Sequence, residues 1–433
     1  MAELAADLAL GAYRVAGFAA LPVMPLILSL RAARGKEDRS RLGERFGRSA
    51  IQRPKGRLAW VHAASVGETN AVLPLIGRIL ATGTSVLFTS VTVTSAGIAA
   101  ARLPHGAIHQ FAPIDVGPVI DRFLLHWQPD IALFVESEQW PLTILKLAAA
   151  GIPRILVNAR MSDRSYRRWK SFGRIGHSIF ARTELCLAQT SADAKRYADL
   201  GAPKVSVTGN LKFDMPPPSA IPAAHAALQD AIAGRPVWLA SSTHEGEERI
   251  AADVHRQLQA TCQSLLTVIV PRHPERGGHI KNMLVEQGFA VALRSAGEEL
   301  LPTTDIYVAD TLGELGLFYR AAPIAFLGGS LIPHGGQNPI EPARLDTVVL
   351  HGPQVHNFME VYEALDRSGQ AELVSDAAAL AAAVAGLLAD PDAARRRAAA
   401  AHAALAPFSG ALDRTLEALG PYLQPGARKV LRN

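Results

Sequence analysis

Gly328-Gly-Ser-Leu-Ile-Pro-His-Gly-Gly-Gln-Asn-Pro-Ile-Glu-Pro-Ala343 follows an apolar run, Pro323–Leu327, that reads as a buried strand. Two glycine pairs in the stretch allow positive φ and close approach of backbone to a ligand. A glycine-rich turn between a strand and a helix start leaves N–H groups where a phosphate can sit. Asn338-Pro-Ile-Glu-Pro342 then reads as the helix entry, with Glu341 placed to accept hydrogen bonds from a pair of sugar hydroxyls. A turn-forming loop needs only the glycines. The glycines together with that helix entry favour a ligand cradle at the carboxyl end of a strand in a doubly wound α/β sheet.

The same alternation extends outward from this loop. Short apolar runs alternate with Ala-rich helical stretches, which argues α/β throughout. The 433 residues, 49% of them apolar, suffice for two or three cores. In the first half, strands are expected at Arg57–His62, Ser85–Thr89, His109–Ala112, Asp130–Val135, Arg154–Asn158 and Val205–Thr208. In the second they are expected at Val237–Ala240, Leu266–Val270, Ala290–Leu293, Ile306–Ala309, Pro323–Leu327 and Val348–Leu350. Met215-Pro-Pro-Pro218 divides the two halves, since three prolines make a stiff extended linker. The expected organisation is a membrane-associated segment over 1–49, a Rossmann-like domain over 50–214 and a linker over 215–222. A second Rossmann-like domain covers 223–405, and 406–433 returns to the first. Two such domains would present their strand ends to an interdomain cleft. The Ala-rich stretch Asp376–Pro407 is expected to be helical and to pack across both domains.

Charge and cysteine usage narrow the function classes. Cys186 and Cys262 have no metal or redox spacing, which fits a reducing setting. A net charge of +5 could suggest nucleic acid, but the basic residues bunch instead of forming a groove with interleaved aromatics. One bunch is Arg31, Arg34, Lys36, Arg39, Arg41, Arg45 and Arg48, directly after the apolar segment Val15–Leu30. That segment is short for a span, which takes about 20 residues. With its basic flank it predicts attachment to the cytoplasmic face of an anionic membrane. The other bunch, Arg164–Lys170, is expected to be a basic loop after a strand and a place for acceptor phosphates.

Three segments carry candidate chemistry. Ala63-Ala-Ser-Val-Gly-Glu68 is the turn after the first strand. Glu68 then falls in the first turn of a helix over Thr69–Ala81, where the helix dipole favours an ionised carboxylate able to act as a base. Glu136 and Glu138, beside Trp140-Pro141, end another buried strand. Arg272, in Pro271-Arg-His-Pro274, sits where a guanidinium can clamp a phosphate.

Taken in order, these motifs closely resemble the Kdo (3-deoxy-D-manno-octulosonic acid) transferases of lipopolysaccharide synthesis. The matching stretches are His62-Ala-Ala-Ser-Val-Gly-Glu68, Glu136-x-Glu138-x-Trp140-Pro141, Asn158-Ala-Arg160-Met-Ser-Asp-Arg164-Ser165 and Gly209-Asn-Leu-Lys212-Phe-Asp214. They continue with Ser242-Thr-His-Glu-Gly-Glu-Glu248, Pro271-Arg-His-Pro274, the glycine stretch and Gly352-Pro…Asn357-Phe358. Gln139 and Met161 stand where the family usually has Leu.

The resemblance implies a GT-B fold, CMP-Kdo as donor, a lipid A precursor (lipid IVA) as acceptor, inversion at the anomeric carbon, and no required metal or cofactor. It implies Glu68 as catalytic base. Donor contacts would come from Lys212, Arg272, His273, Gly329, Ser330, Gly335, Gly336, Gln337, Asn338 and Glu341. Ser65, Gly67, Glu138, Arg160, Arg164 and Ser165 would bind or orient the acceptor. The partners expected are the lipid acceptor and an anionic inner-membrane surface, with no nucleic acid. A nucleotide-sugar epimerase, another GT-B glycosyltransferase or a non-catalytic nucleotide-binding scaffold would share the fold. Release of CMP only in the presence of lipid acceptor separates the first reading from these.

Overall fold

The computed structural model describes residues 2–215, 217–218 and 220–424, the first eight of them by backbone only. Two members of the expected linker, Pro216 and Ser219, and the end of the expected C-terminal segment, 425–433, lie outside the described residues. The chain forms two compact units, Met1–Met215 with Ser409–Asn433, and Pro216–Phe408.

In the first unit the strands are β1 (Leu58–Ala63), β2 (Ser85–Ser90), β3 (Ala107–Phe111), β4 (Ile131–Val135), β5 (Arg154–Ala159), β6 (Leu185–Ala188) and β7 (Val205–Val207). They form one parallel sheet in the order β3-β2-β1-β4-β5-β6-β7. The second unit has β8 (Val237–Thr243), β9 (Leu266–Pro271), β10 (Val291–Leu293), β11 (Ile306–Val308), β12 (Ile324–Leu327), β13 (Val348–His351) and β14 (Ala371–Leu373). Its parallel sheet runs β10-β11-β9-β8-β12-β13-β14. Both sheets are doubly wound, as their apolar runs predict. Each order reverses at one place, between β1 and β4 and between β8 and β12, and ligands of such sheets bind outside the strand ends there.

Alternation along β1 shows why these strands read as unbroken apolar runs. Ala59, Val61 and Ala63 enter one core with Val72, Leu75, Ile76 and Phe88. Leu58 and Trp60 enter the other with Phe123, Phe134 and Leu156. A sheet covered by helices on both faces has no polar side to display.

Several elements depart from the sequence reading. The helix after β1 begins at Val66, capped by Ser65, three residues before the expected start. Arg164–Lys170 is no loop: it belongs to a helix, Asp163–Ser171, whose cap is Ser162. Dense charge hid this helix, since capping and not apolar periodicity starts it. The Ala-rich stretch belongs to the second unit: Leu380, Ala381, Val384 and Leu387 of helix Ala377–Ala389 join its core. The first unit instead receives helix Ala411–Leu423, with Ala411, Leu419 and Leu423 in its core.

No single helix among the described residues is long and apolar enough to cross a membrane; Leu10–Ala20 and Met24–Ala33 are long and apolar enough only together, and they are bent by 66°. Val15, Phe18, Leu26 and Leu30 on them are each more than half exposed. The basic flank is only partly free. Arg45 is buried and bonded to Glu37 and the Ala112 carbonyl. Arg31 pairs with Glu37, and Arg41 with Glu44. Arg34, Lys36, Arg39 and Arg48 remain exposed.

Candidate functional site

In the first unit, Glu68 is the third residue of its helix and is nearly buried. Ser65 and Glu68 form a reciprocal cap: Ser65 Oγ accepts from the Glu68 N–H (3.2 Å) and donates to Glu68 Oε1 (2.8 Å). The Ala64 N–H donates to Glu68 Oε2 at 2.9 Å. This is the Ser-x-x-Glu arrangement that closes a helix start. The dipole argument alone predicts an easily ionised carboxyl. The structure reverses the direction: burial raises the Glu68 pKa, against the Ala64 and Ser65 bonds, and the nearby Glu136 and Glu138 carboxylates raise it further. Desolvation outweighs the helix start because the group lies almost out of water.

Around it stand groups from the other side of the switch point. Glu136, just past β4, adopts φ +58°, a conformation that strains a residue with a side chain. Its carboxylate lies 2.6 Å from Lys212 Nζ. Asn158, at the end of β5, has φ +53° and accepts the Leu211 N–H on Oδ1 at 2.9 Å. That bond seats the 3₁₀ turn Leu211–Asp214 bearing Lys212. The Lys212 ammonium also lies beside the helix start: a Cβ on Gly67 would be in ordinary contact with it, at 3.8 Å from Nζ. Glu138 also has its pKa raised by burial, then by Glu136. The structure therefore gathers Ser65, Gly67, Glu68, Glu136, Glu138 and Lys212 within one unit. Lys212 stands in this carboxylate cluster, whereas the other expected donor residues all belong to the second unit. Arg160 and Arg164 are exposed; the Ser165 N–H is tied to Ser162 Oγ at 3.2 Å.

In the second unit the glycine loop joins β12 to a single turn of helix, Ile340–Ala343. Gly329, Gly335 and Gly336 have φ +66°, +104° and +76°. A Cβ on Gly335 would lie 2.5 Å from Asn357 Nδ2. Loop and neighbours interlock: the Gly336 N–H donates to Gly329 O (2.8 Å), Asn357 N–H to Gly335 O (3.0 Å) and Tyr362 Oη to Gln337 O (2.8 Å). Asn338, just before the short helix, accepts the Ile340 N–H on Oδ1 (3.1 Å) and donates to Glu341 Oε1 (3.1 Å). Burial raises the Glu341 pKa, and the Asn338 bond opposes it.

One expectation fails here. Gly329 and Ser330 are expected donor contacts, but Glu247 occupies their amides: its carboxylate accepts from Gly329 N (2.7 Å), Ser330 N (3.2 Å) and Leu331 N (3.3 Å). The Ser330 hydroxyl donates to Leu327 O and accepts the Gly352 N–H at 2.9 Å, and the residue is fully buried. Ser330 is a structural residue of the loop. Its polarity suggested ligand contact; its packing uses every polar group.

Arg272 and His273 are exposed past the end of β9, and the Arg272 side chain has no partner among the described residues. Sequence reasoning passed over three residues around them. His244 stacks on His334 (3.9 Å between centroids), lies 5.9 Å from the His273 ring, and is 3.2 Å from Gln337 Nε2. Burial lowers its pKa to about 4, helped by the neighbouring histidines and by Arg272 and Arg276, so this imidazole is neutral. The third is Glu247. The signal was Ser242-Thr-His-Glu-Gly-Glu-Glu248, a family-matching stretch in which no single residue is given a role from sequence. Ser242 itself has φ +54°. Among the described residues no group of three or more His, Cys, Asp or Glu is placed to hold a metal ion.

Comparison with known proteins gives these two clusters a context. The family description "3-Deoxy-D-manno-octulosonic-acid transferase (kdotransferase)" matches residues 40–215. A 3-deoxy-D-manno-octulosonic acid transferase of Haemophilus influenzae is 35% identical over 416 residues, covering 93% of this chain and 96% of the relative. Among solved structures, a glycosyltransferase from Rickettsia africae aligns with TM-score 0.59 at 13% identity, covering 88% of this chain and 100% of that one. The UDP-GlcNAc 2-epimerase of Neisseria meningitidis bound to UDP-GlcNAc aligns with TM-score 0.56 at 15% identity, over 84% of this chain and 99% of that one. Transferases and epimerases thus share the two-unit GT-B fold, and fold alone does not separate them. The full-length sequence relationship does.

Proposed function

The chain belongs to the 3-deoxy-D-manno-octulosonic acid transferases and is a glycosyltransferase, and from that premise we propose that Glu68 is its general base, with CMP-Kdo as donor and a lipid A precursor as acceptor. The carrying observation is a partly desolvated carboxyl beside two further carboxylates and one ammonium, at the switch point of the first sheet. A raised pKa suits a base near neutrality better than an ordinary carboxylate does.

The reaction is a single displacement. The acceptor oxygen bonds to the anomeric carbon as its proton passes to Glu68, and the bond from that carbon to the CMP phosphate breaks with its electron pair leaving on CMP. Negative charge grows on the phosphate. Arg272, whose side chain has no partner among the described residues, and the Gly335 and Gln337 amides are assigned to meet it as preorganised positive potential. Protein groups supply this stabilisation without a metal or cofactor. Asn338 and Glu341 are assigned to the nucleoside. Glu136 and Lys212, held as a pair, fix the electrostatics around Glu68, while Glu138 and Arg160 orient the sugar or acceptor. Arg164 and its neighbours Arg167 and Arg168 are exposed on the helix Asp163–Ser171 and suit the phosphates of a lipid acceptor. The apolar faces of the first two helices, with Arg34, Lys36, Arg39 and Arg48, suit an anionic membrane surface.

Incubation with CMP-Kdo and lipid IVA, with the product read by mass, tests the donor and acceptor. Glu68→Ala is expected to lower kcat by about 10²–10⁴ with CMP binding retained. Turnover at the wild-type rate would remove Glu68 from the mechanism.

A further inference from the structure

We propose that Glu247 is the positioning residue of the donor loop, a resident carboxylate that holds the amides of Gly329, Ser330 and Leu331 and keeps them from the donor phosphate. The proposal rests on reading the glycine stretch as the donor loop.

Glu247 is fully buried, and its two oxygens accept four backbone N–H groups: His244 at 3.0 Å besides Gly329, Ser330 and Leu331. Among the described residues no cation pairs with it; the adjacent Glu248 takes Arg276 in a two-bond pair at 2.7 and 3.2 Å. Three successive amides of a turn that includes Gly329 at φ +66°, joined by the His244 amide, converge on one carboxyl and make a backbone nest of the kind that elsewhere binds phosphate. Burial raises the pKa of this carboxyl, and the four amide bonds oppose that by favouring its ionised form. Here the anion comes from the chain.

The arrangement has a counterpart in the first unit. His244-Glu-Gly246-Glu247 follows β8 as Ser65-Val-Gly67-Glu68 follows β1, and each Glu lies in the first turn of the helix after the first strand of its sheet. Each also accepts an N–H from its own turn, Ala64 in one case and His244 in the other. Glu68 keeps its remaining capacity for the Ser65 hydroxyl. Glu247 spends its remaining capacity across the switch point, on the loop leaving β12. Equivalent positions therefore serve different ends: one glutamate is bonded only within its own turn, and the other fixes the loop. With those amides occupied, and the Gly336 N–H given to Gly329 O, the donor phosphate is left to the Gly335 and Gln337 amides and Arg272.

Steady-state kinetics with CMP-Kdo on the full chain tests this. Glu247→Ala leaves the nest empty, and its donor KM is expected to rise about ten-fold or more, as loss of charge-assisted hydrogen bonds implies, with kcat changed much less. Sodium acetate should re-enter the nest and restore KM, whereas sodium chloride at equal ionic strength should not. Glu247→Gln keeps the volume but turns an NH₂ toward amide donors; it should raise KM too, and it decides the matter if the alanine variant does not fold. A donor KM in Glu247→Gln equal to or below wild type overturns the proposal, as does a KM fall in Glu247→Ala, which would mean that donor phosphate takes the vacated nest. Arg272→Ala and Asn338→Ala run in parallel. If they raise KM and the Glu247 variants do not, this proposal alone falls; if all are at wild type, the donor-loop reading falls with it.

Discussion

At the scale of the residue, the proposed base role of Glu68 and the stability of the fold draw on one side chain in opposite senses. Its folded pKa is raised by burial, so the native protein keeps the proton to higher pH than the unfolded chain does. Such a group contributes fully to stability below its unfolded pKa, and the contribution is lost as pH rises through the folded one. At neutral pH the ionised Glu68 is therefore a cost. Glu68→Gln, which can still accept from Ala64 and donate to Ser65, should melt at or above the wild-type temperature at about pH 7–8, and lose that advantage below about pH 4, where both side chains are neutral. Calorimetry across pH checks this; a variant markedly less stable at neutral pH would contradict it. The same ionisation should set the acid limb of kcat/KM above the ordinary carboxylate range. Gln139 makes a separate residue-scale point. It stands where the family usually has Leu, and its Oε1 accepts from the guanidinium of buried Arg154 at 2.9 Å, a cation that also donates to the neutral Thr183 hydroxyl.

At the scale of the element, two surface features carry predictions. The helix Asp163–Ser171 presents Arg164, Arg167 and Arg168 to solvent, while Lys170 is engaged with Asp199 at 2.9 Å. Reversing the three arginines to Glu should raise the KM for the lipid acceptor about ten-fold or more, since each basic group near an anionic headgroup surface is worth about 1 kcal/mol. Donor KM should not move, and the folded state should shift by no more than about 0.5 kcal/mol, as for exposed sites generally. Equal effects on donor and acceptor would remove the assignment. On the first two helices, Phe18, Leu26 and Leu30 lie exposed. Changing all three to Ser should weaken sedimentation with anionic vesicles at least about ten-fold, given roughly 1.5–3 kcal/mol for burying each large apolar side chain. Unchanged vesicle binding would assign that face to another role.

At the scale of the whole molecule, the first unit is discontinuous in sequence. Asp214 accepts the N–H groups of Gly410 and Leu412, at 2.8 and 2.6 Å, and so starts the returning helix Ala411–Leu423. Arg57 donates to the carbonyls of Tyr422 and Gln424 near its end. Leu419, Tyr422 and Leu423 bury against the first core, together about 5–9 kcal/mol at the usual side-chain value, comparable with a domain's whole stability. Truncation after Phe408 should therefore abolish the cooperative melting of the first unit while the transition of the second persists. Two intact transitions would show the helix to be dispensable.

Apolar runs bounded by turn residues were enough to place nearly every strand and to give a doubly wound class for both units, because strands buried on both faces carry their burial in local composition. Motif order likewise made the family legible, and with it Glu68, Arg272 and the glycine loop as candidates. Tertiary structure alone decided what those groups bind. Glu247 meets Gly329 across 82 residues of chain, and Lys212 meets Glu136 because Asn158 seats its turn. It also decided the direction of the Glu68 pKa, since a first-turn position is visible in sequence whereas desolvation is not. The glycine loop that begins at Gly328 was legible as an anion cradle from its own residues. That the anion in it belongs to the protein followed only once β8 and β12 lay side by side.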